Sequence, residues 1–337
     1  MKEPVVCTEA QFIKGEANFR RYGADYEWIS CPKEEEVLAK TIRDRKVRIA
    51  VVGTSRYREQ LYRALQESAG EGPALLARHG VGYDSLDLDL CKRHNIMVTI
   101  TPGTLDRSVA EHTIALMLSL VREIPALDRS MRDSRFLPVT TVEVSGKTLG
   151  VAGFGKIGKQ VAGIASRGLG MNVVAFDILP LSEQLNRENM GEEEFRKKYG
   201  LQAYLTDFDL FAGSLDILSI HLPATEHTRG FFNAERLAAL ASCSYLINTG
   251  RGTLIDENAL YEALAGGRLK AAALDVFQNE PYAPISADRD LRKLPNVILT
   301  PHVASNTVEA NFRVQQSILE NIEKFLQGRH GEMTRVV

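Results

Sequence analysis

The stretch Thr148 to Val161, TLGVAGFGKIGKQV, decides the fold. A short apolar run ends at Ala152, Gly153-Phe154-Gly155-Lys156-Ile157-Gly158 follows at once, and residues with the spacing of an amphipathic helix come next. This is a strand, a glycine turn and a helix start. Backbone N–H groups at such a start, together with the helix dipole, favour a bound anion. In that geometry Gly153 permits the tight turn, Gly155 lets a pyrophosphate approach the backbone, and Gly158 lets helix and strand pack closely. One GxGxxG is a weak signal, and a glycine turn in another kind of α/β protein competes with it. The second apolar run, MNVVAFDILP, tips the balance. It ends in Asp177, about 20 residues on, where a dinucleotide fold places the carboxylate that hydrogen-bonds the adenosine ribose.

Outward from this stretch, βα alternation runs in both directions. Before it, Val5 to Thr8, Tyr26 to Ile29, Arg48 to Gly53, Ala74 to Ala77 and Met97 to Ile100 read as strands, with helices at Glu34 to Arg43, Tyr57 to Glu67 and Ser85 to Arg93. After Pro102-Gly103, Ser108 to Arg122 reads as one long apolar helix crossing from a first domain to a second, with His112 and Met117 as core packing. Such a helix also suits a subunit contact, and its composition does not separate that from internal burial. After the glycine turn, strands are expected at Asn172 to Phe176, Asp216 to His221, Ser244 to Asn248, Lys270 to Asp275 and Val297 to Thr300, with helices at Asn233 to Leu240 and Asp256 to Ala265. Leu181 to Tyr199 is charged and reads as a solvated, helical insertion. A last helix, Val303 to Leu326, is free to return to the first domain. The expected architecture is therefore α/β, with two doubly wound parallel-sheet domains. Residues 1–102 plus 305–337 form the substrate-binding domain, and 103–304 form the inserted Rossmann domain.

Composition narrows the function. A chain of 337 residues with 44% hydrophobic content buries a large core, and its net charge of −2 carries no basic run to suggest nucleic acid or a membrane surface as partner. Cys7, Cys31, Cys91 and Cys243 are scattered without zinc-ligand spacing, so no metal is expected and the thiols read as reduced and buried. MKEPVVCTEAQF lacks a signal-peptide core, and a cytoplasmic protein is expected.

Ligands of open α/β sheets lie beyond the carboxyl ends of the strands. There the second domain carries His221-Leu222-Pro223, Asn248-Thr249-Gly250-Arg251-Gly252, Asp275 with Gln278-Asn279-Glu280-Pro281, and Thr300-Pro301-His302. Arg251 stands between two glycines, and its planar fork of donors suits a carboxylate with an adjacent carbonyl oxygen. His302 can exchange a proton with a substrate oxygen, and Glu280 can hold it and favour the imidazolium.

GVGYDSLD, SVAEHTIALML, GFGKIG, DILSIHLPATEHT, INTGRGTLIDENAL, LDVFQNEP and TPHVASNT together resemble the D-isomer-specific 2-hydroxyacid dehydrogenases, in the family's order, from about Leu75 to Thr307. The earlier residues fit only by their βα pattern. The resemblance implies a flavodoxin-like substrate domain split by the Rossmann domain, a homodimer, and reduction of a 2-oxo acid to a D-2-hydroxy acid, or the reverse, with NAD. It implies that Arg251 binds the substrate carboxylate and carbonyl, His302 is the acid/base, Glu280 pairs with it, and Asp275 contacts the nicotinamide carboxamide. Gly153, Gly155, Lys156, Ile157, Gly158, Asp177, Leu222, Pro223, Thr228, Thr249, Gly250 and Arg251 line the cofactor on this reading, with His221 either structural or in contact with it. Val81 and Gly82 offer backbone N–H groups to the substrate carboxylate.

Hinge motion near Gly103 and Ala304 is expected to close the domains. Asp177 favours NAD over NADP, although Arg187, Arg196, Lys197 and Lys198 leave dual use open. Thr54-Ser55-Arg56 and Arg78-His79 make a further anionic group on the substrate conceivable. The chain ends soon after the last helix, so feedback control by an appended small-molecule domain is not expected. Phosphite- or formate-type dehydrogenases of the same fold, and an NAD(H)-sensing corepressor-like binding protein, are the alternatives.

Overall fold

A computed structural model describes residues 2–213, 215–240 and 245–337. Cys243, one of the four cysteines, and Ser244, the expected start of one strand, lie outside the described residues. In chain order the elements are β1 (Glu3–Thr8), α1 (Glu9–Tyr22), β2 (Tyr26–Cys31), α2 (Glu35–Arg45), β3 (Ile49–Val52), α3 (Gln60–Ala69), β4 (Ala74–Arg78), α4 (Leu88–Arg93) and β5 (Ile96–Thr99). Then come α5 (Asp106–Val121), α6 (Ile124–Arg132), β6 (Thr148–Ala152), α7 (Lys156–Leu169), β7 (Asn172–Phe176), α8 (Leu181–Glu188), α9 (Glu192–Tyr199), β8 (Leu201–Leu205) and α10 (Phe208–Ala212). The remainder is β9 (Ile217–Ile220), α11 (Ala234–Ala239), β10 (Tyr245–Asn248), α12 (Glu257–Ala265), β11 (Ala271–Leu274), β12 (Val297–Leu299) and α13 (Val308–Leu326), with short 3₁₀ turns between. The chain divides into two compact units, Met1–Leu105 with Asn306–Val337, and Asp106–Ser305.

The first unit is a five-stranded parallel sheet in the order β2-β1-β3-β4-β5. Its central strands β3 and β4 are buried on both faces because side chains alternate between two helical layers. Val5, Cys7, Ile49, Val51, Leu75 and Ala77 pack with α1 and α13, while Val6, Ala50, Val52 and Leu76 pack with α2 and α3. Helix α1 has no counterpart in the sequence pattern. Only Phe12, Gly15 and Phe19 are buried in it, and a Cβ at Gly15 would lie 2.6 Å from Gln315 Nε2 on α13. A glycine there weakens the helix signal and lets the two helices approach. The tail returns to the sheet edge, where Val98 N–H donates to Val337 O and Val336 N–H to Val98 O.

The second unit is a seven-stranded parallel sheet, β12-β11-β10-β9-β6-β7-β8. Strand order reverses at β6, which lies between β7 and β9, so the carboxyl ends of β6 and β9 flank the switch-point crevice. Val174, Leu218, Leu246 and Ala272 face one core layer, and Val173, Ile217, Ile247 and Ala273 face the other.

Three expectations need correction here. Helix α5 lies wholly in the second unit rather than bridging the two, and it packs on α7 through Ile114, Met117 and Val121. The last helix begins at Val308, not Val303. The N–H groups of Val303 and Ala304 donate to the Asp275 carboxylate, and Thr307 caps the helix by accepting from Ala310 N–H. The charged stretch 181–199 is helical but not simply solvated. Gln184 and Phe195 are buried, because Leu181, Gln184 and Leu185 share one helix face and Phe195 and Tyr199 share another. It is followed by strand β8, which the sequence pattern does not announce.

Among the described residues no helix is long and apolar enough to cross a membrane, and no group of three or more His, Cys, Asp or Glu is placed to hold a metal ion. Cys7, Cys31 and Cys91 are free and buried.

Candidate active site

Two of the tasks expected of the glycine turn, a tight turn and close packing of helix on strand, are visible in its geometry. Gly153 has φ +95°, and a Cβ there would lie 2.6 Å from the His221 carbonyl, so glycine alone lets β6 and β9 close on each other. A Cβ at Gly158 would sit 2.2 Å from Gly153 O, which fixes the approach of α7 to β6. Nothing lies within 4 Å of a Cβ built at Gly155, the N-cap of α7, and its position makes no side-chain cap. The first turn of α7 thus has neither a side-chain cap nor an acidic side chain to engage its leading N–H groups.

At the end of β7, Asp177 Oδ2 accepts Phe154 N–H at 2.7 Å and Oδ1 accepts Leu179 N–H at 3.0 Å. These bonds fix the carboxylate against the glycine turn and leave lone pairs for further donors. Beside it a cavity of about 530 Å³ opens between Phe176, Ile178, Phe208, Phe231 and Arg236. Sequence spacing does not single out these residues, which become neighbours only through β8 and α10.

At β10 the buried Asn248 clasps the loop that follows. Its Oδ1 accepts Gly250 N–H at 3.0 Å and its Nδ2 donates to Arg251 O at 2.9 Å. A Cβ at Gly252 would lie 1.9 Å from Phe277 C, so this glycine serves close packing of two loops rather than an open backbone. Arg251 Nη1 donates to Gly250 O at 2.8 Å. Thr249 is buried, and its hydroxyl lies 2.8 Å from that of Thr113 on α5.

His302 and Glu280 meet, with Nδ1 and Oε2 2.6 Å apart and both side chains about one-third exposed, 34% and 36%. Glu280 Oε1 also accepts Phe277 N–H at 3.0 Å. Burial alone would push the Glu280 carboxyl up. The His302 hydrogen bond and charge, the Phe277 N–H and the Arg251 guanidinium outweigh it, and the carboxyl is held below its ordinary range. With Nδ1 engaged, Nε2 is the ring nitrogen left to face a substrate. The backbone at His302 is left-handed, φ +52°, a strained conformation for this residue, and its N–H donates to Asp275 O at 2.8 Å.

Asp275, expected at the nicotinamide carboxamide, is turned inward with no exposed surface. Its carboxylate accepts Thr300 Oγ1 at 2.6 Å and the N–H groups of Val303 and Ala304 at 2.9 Å each. His112 Nε2 lies 3.6 Å away. Burial pushes this carboxyl up, and the donors from His112, Thr300, Val303 and Ala304 bring it below its ordinary value. Met117 is core, as expected, but His112 is not simply so. Its side chain is 24% exposed and reaches the strand ends. Two adjacent polar residues, His112 and Thr113, within the apolar sequence of α5 are the signal that the core-packing reading passed over.

Other expected cofactor residues are placed less openly. The Thr228 hydroxyl donates to Pro223 O at 2.6 Å and accepts Thr225 N–H at 2.7 Å, closing its own loop. Leu222 is buried beside it. Burial pushes His221 down to about 3, and this neutral ring pairs with Ser219 Oγ at 2.8 Å.

In the first unit, Val81 and Gly82 lie half-exposed in the loop after β4. Arg78 is buried and holds that loop, its Nε donating to Gly82 O at 2.7 Å and its Nη1 to His79 O. It shapes the loop's own backbone. Arg56 is exposed and lines a cavity of about 460 Å³ with Tyr57 and Asp84.

The sequence model of the D-isomer specific 2-hydroxyacid dehydrogenase NAD-binding domain matches residues 114–304. The D-3-phosphoglycerate dehydrogenase of Archaeoglobus fulgidus is 36% identical over 262 residues, 77% of this chain and 46% of that protein. The chain thus spans about half the length of such curated relatives. Among solved structures, D-lactate dehydrogenase from Aquifex aeolicus, complexed with NAD and lactic acid, has a TM-score of 0.81 at 27% identity, covering 99% of each chain. An NADPH-dependent glyoxylate/hydroxypyruvate reductase from Sinorhizobium meliloti, in complex with NADP and malonate, has a TM-score of 0.77 at 27% identity, covering 97% of this chain and 94% of that one. With an NAD-binding domain of this type and both sheets of the fold, the chain belongs to the D-isomer-specific 2-hydroxyacid dehydrogenase family.

Proposed function

We propose that this chain is an NAD-dependent oxidoreductase that reduces a 2-oxo acid to a D-2-hydroxy acid, or runs the reverse reaction. The observation that carries the reading is the His302–Glu280 pair at 2.6 Å in the same strand-end cluster as Arg251. The residues present fit a dinucleotide. The open face at Gly155 admits a pyrophosphate that any side chain would crowd, and the uncapped α7 N–H groups are its donors. When bound, the nicotinamide supplies or accepts the hydride.

The chain's own residues do the rest. Arg251 binds the substrate carboxylate and orients the 2-oxo group, His302 Nε2 delivers a proton to the carbonyl oxygen as it becomes a hydroxyl, and Glu280 holds the imidazole and stabilises its protonated form. Asp275 acts through the backbone of residues 302–304. Val81 and Gly82 keep their assignment as substrate-binding residues, and Gly153, Lys156, Ile157, Gly158, Leu222, Pro223, Thr228, Thr249 and Gly250 keep theirs around the cofactor.

NADH is preferred to NADPH. The Asp177 carboxylate accepts a ribose hydroxyl and repels a 2′-phosphate, and the residue after it is Ile178 rather than an arginine. A homodimer fits Ile124, Met131, Phe136, Leu137 and Val139, large apolar side chains left exposed around α6 and the segment before β6. The free, buried thiols fit a cytoplasmic setting.

NADH oxidation with a panel of 2-oxo acids tests the activity, with the product's configuration determined and with phosphite and formate plus NAD⁺ as separate arms. Turnover confined to 2-oxo acids and giving D-product supports the reading. Turnover of phosphite or formate alone moves the chain to the other branch of the fold, and partner binding without any turnover favours the corepressor-like alternative.

A further inference from the structure

Helix α5 reaches the strand ends through two adjacent side chains. Thr113 meets Thr249, in the loop of Arg251, while His112 Nε2 lies 3.3 Å from Thr300 Oγ1 and 3.6 Å from Asp275 Oδ1. The direction of these bonds is fixed by the chemistry. Thr300 spends its hydroxyl proton on Asp275, at 2.6 Å, so it can only accept from His112, whose proton must then sit on Nε2. The chain of donors runs from His112 through Thr300 to Asp275.

What Asp275 holds explains why this matters. Its carbonyl takes the N–H of His302, and its carboxylate takes those of Val303 and Ala304. Three consecutive N–H groups thus converge on one residue, at the point where His302 adopts its left-handed backbone. A strained conformation persists only where its surroundings over-determine it. A buried carboxylate keeps one orientation only when its partners fix it.

We propose that His112 is a positioning residue for His302. Through Thr300 and Asp275 it fixes the backbone of residues 302–304, and so the direction in which the His302 ring presents Nε2. It touches neither substrate nor cofactor in this role. The inference rests on the reading of His302 as the acid/base.

The test uses the full chain with His112→Leu, which fills the space without a donor, and His112→Gln, whose amide restores one. His112→Leu is expected to lower kcat about tenfold or more while the KM for the 2-oxo acid and the Kd for NADH move less than about twofold. His112→Gln should recover kcat to within about threefold. Independently of turnover, hydrogen exchange at the amides of Val303 and Ala304 should be faster in His112→Leu than in wild type, and near wild type in His112→Gln. Unchanged kcat and exchange in His112→Leu, or equal losses in both variants, overturn the proposal. An active wild type with an unaffected His112→Leu removes this inference alone, whereas a wild type inactive on every 2-oxo acid removes the functional reading and this inference with it.

Discussion

At the scale of single residues, the candidate site is held by groups that do no chemistry. Gly252 is the clearest. A methyl group at this position would stand 1.9 and 2.1 Å from backbone atoms of Phe277, so Gly252→Ala must push apart the loops that carry Arg251 and Glu280. Overpacking of this kind costs about 1–3 kcal/mol. Because a misplacement near 1 Å lowers rates by about 100-fold, kcat/KM should fall far more than thermal stability. Steady-state kinetics beside a melting curve distinguishes the two. Glu280→Gln removes the carboxylate that holds the His302 ring at Nδ1, so kcat for 2-oxo acid reduction should fall about tenfold or more while the KM moves little. An unchanged kcat would separate Glu280 from His302 in function despite their contact. Arg251, Glu280 and His302 are legible in the sequence because each follows a strand. Asp275's inward turn and the left-handed backbone of His302 are not, since both arise from hydrogen bonds between residues far apart in sequence, formed only when β11 and β12 pair and α5 packs beside them.

At the scale of elements, helices α8 and α9 clamp the glycine-turn helix. Lys159 of α7 donates to Gln184 at 2.8 Å and to Glu188, and lies within about 6 Å of the Phe195 and Tyr199 rings. Glu188 also accepts from Tyr199 at 2.7 Å and Lys198 at 3.0 Å. Burial acts to raise its carboxyl, but these donors draw it down to about 2. A depressed folded-state value means that the stabilisation is complete above the unfolded value of about 4.3 and is lost as pH falls toward about 2. Glu188→Gln should therefore lower stability by about 1–2 kcal/mol at neutral pH, with the gap to wild type closing below about pH 4.5, as thermal melts at several pH values will report. Charge density hides this clamp in the sequence, because the apolar residues of 181–199 are few and act on two short helices rather than one. The long, evenly periodic elements are legible for the opposite reason. Strand β7 has the bounds its sequence predicts, while α1, interrupted by Gly15, escapes a reading by periodicity.

At the scale of the whole chain, two parallel sheets of five and seven strands follow from the βα alternation, and the split of the first unit follows from the return of α13. The exposed apolar side chains around α6 lead to an expected dimer, and light scattering after gel filtration should give twice the chain mass of 37.4 kDa. Replacing Phe136 and Leu137 with serine should shift that mass toward the monomer without unfolding either sheet. The proposed role of His302 is to move the proton that accompanies hydride transfer. The most direct measurement compares wild type and His302→Ala for NADH binding by fluorescence and for single-turnover reduction of the best 2-oxo acid. NADH affinity is expected to be unchanged and the rate to be lower by about 10²–10⁴-fold. Near-normal turnover in His302→Ala would contradict that role.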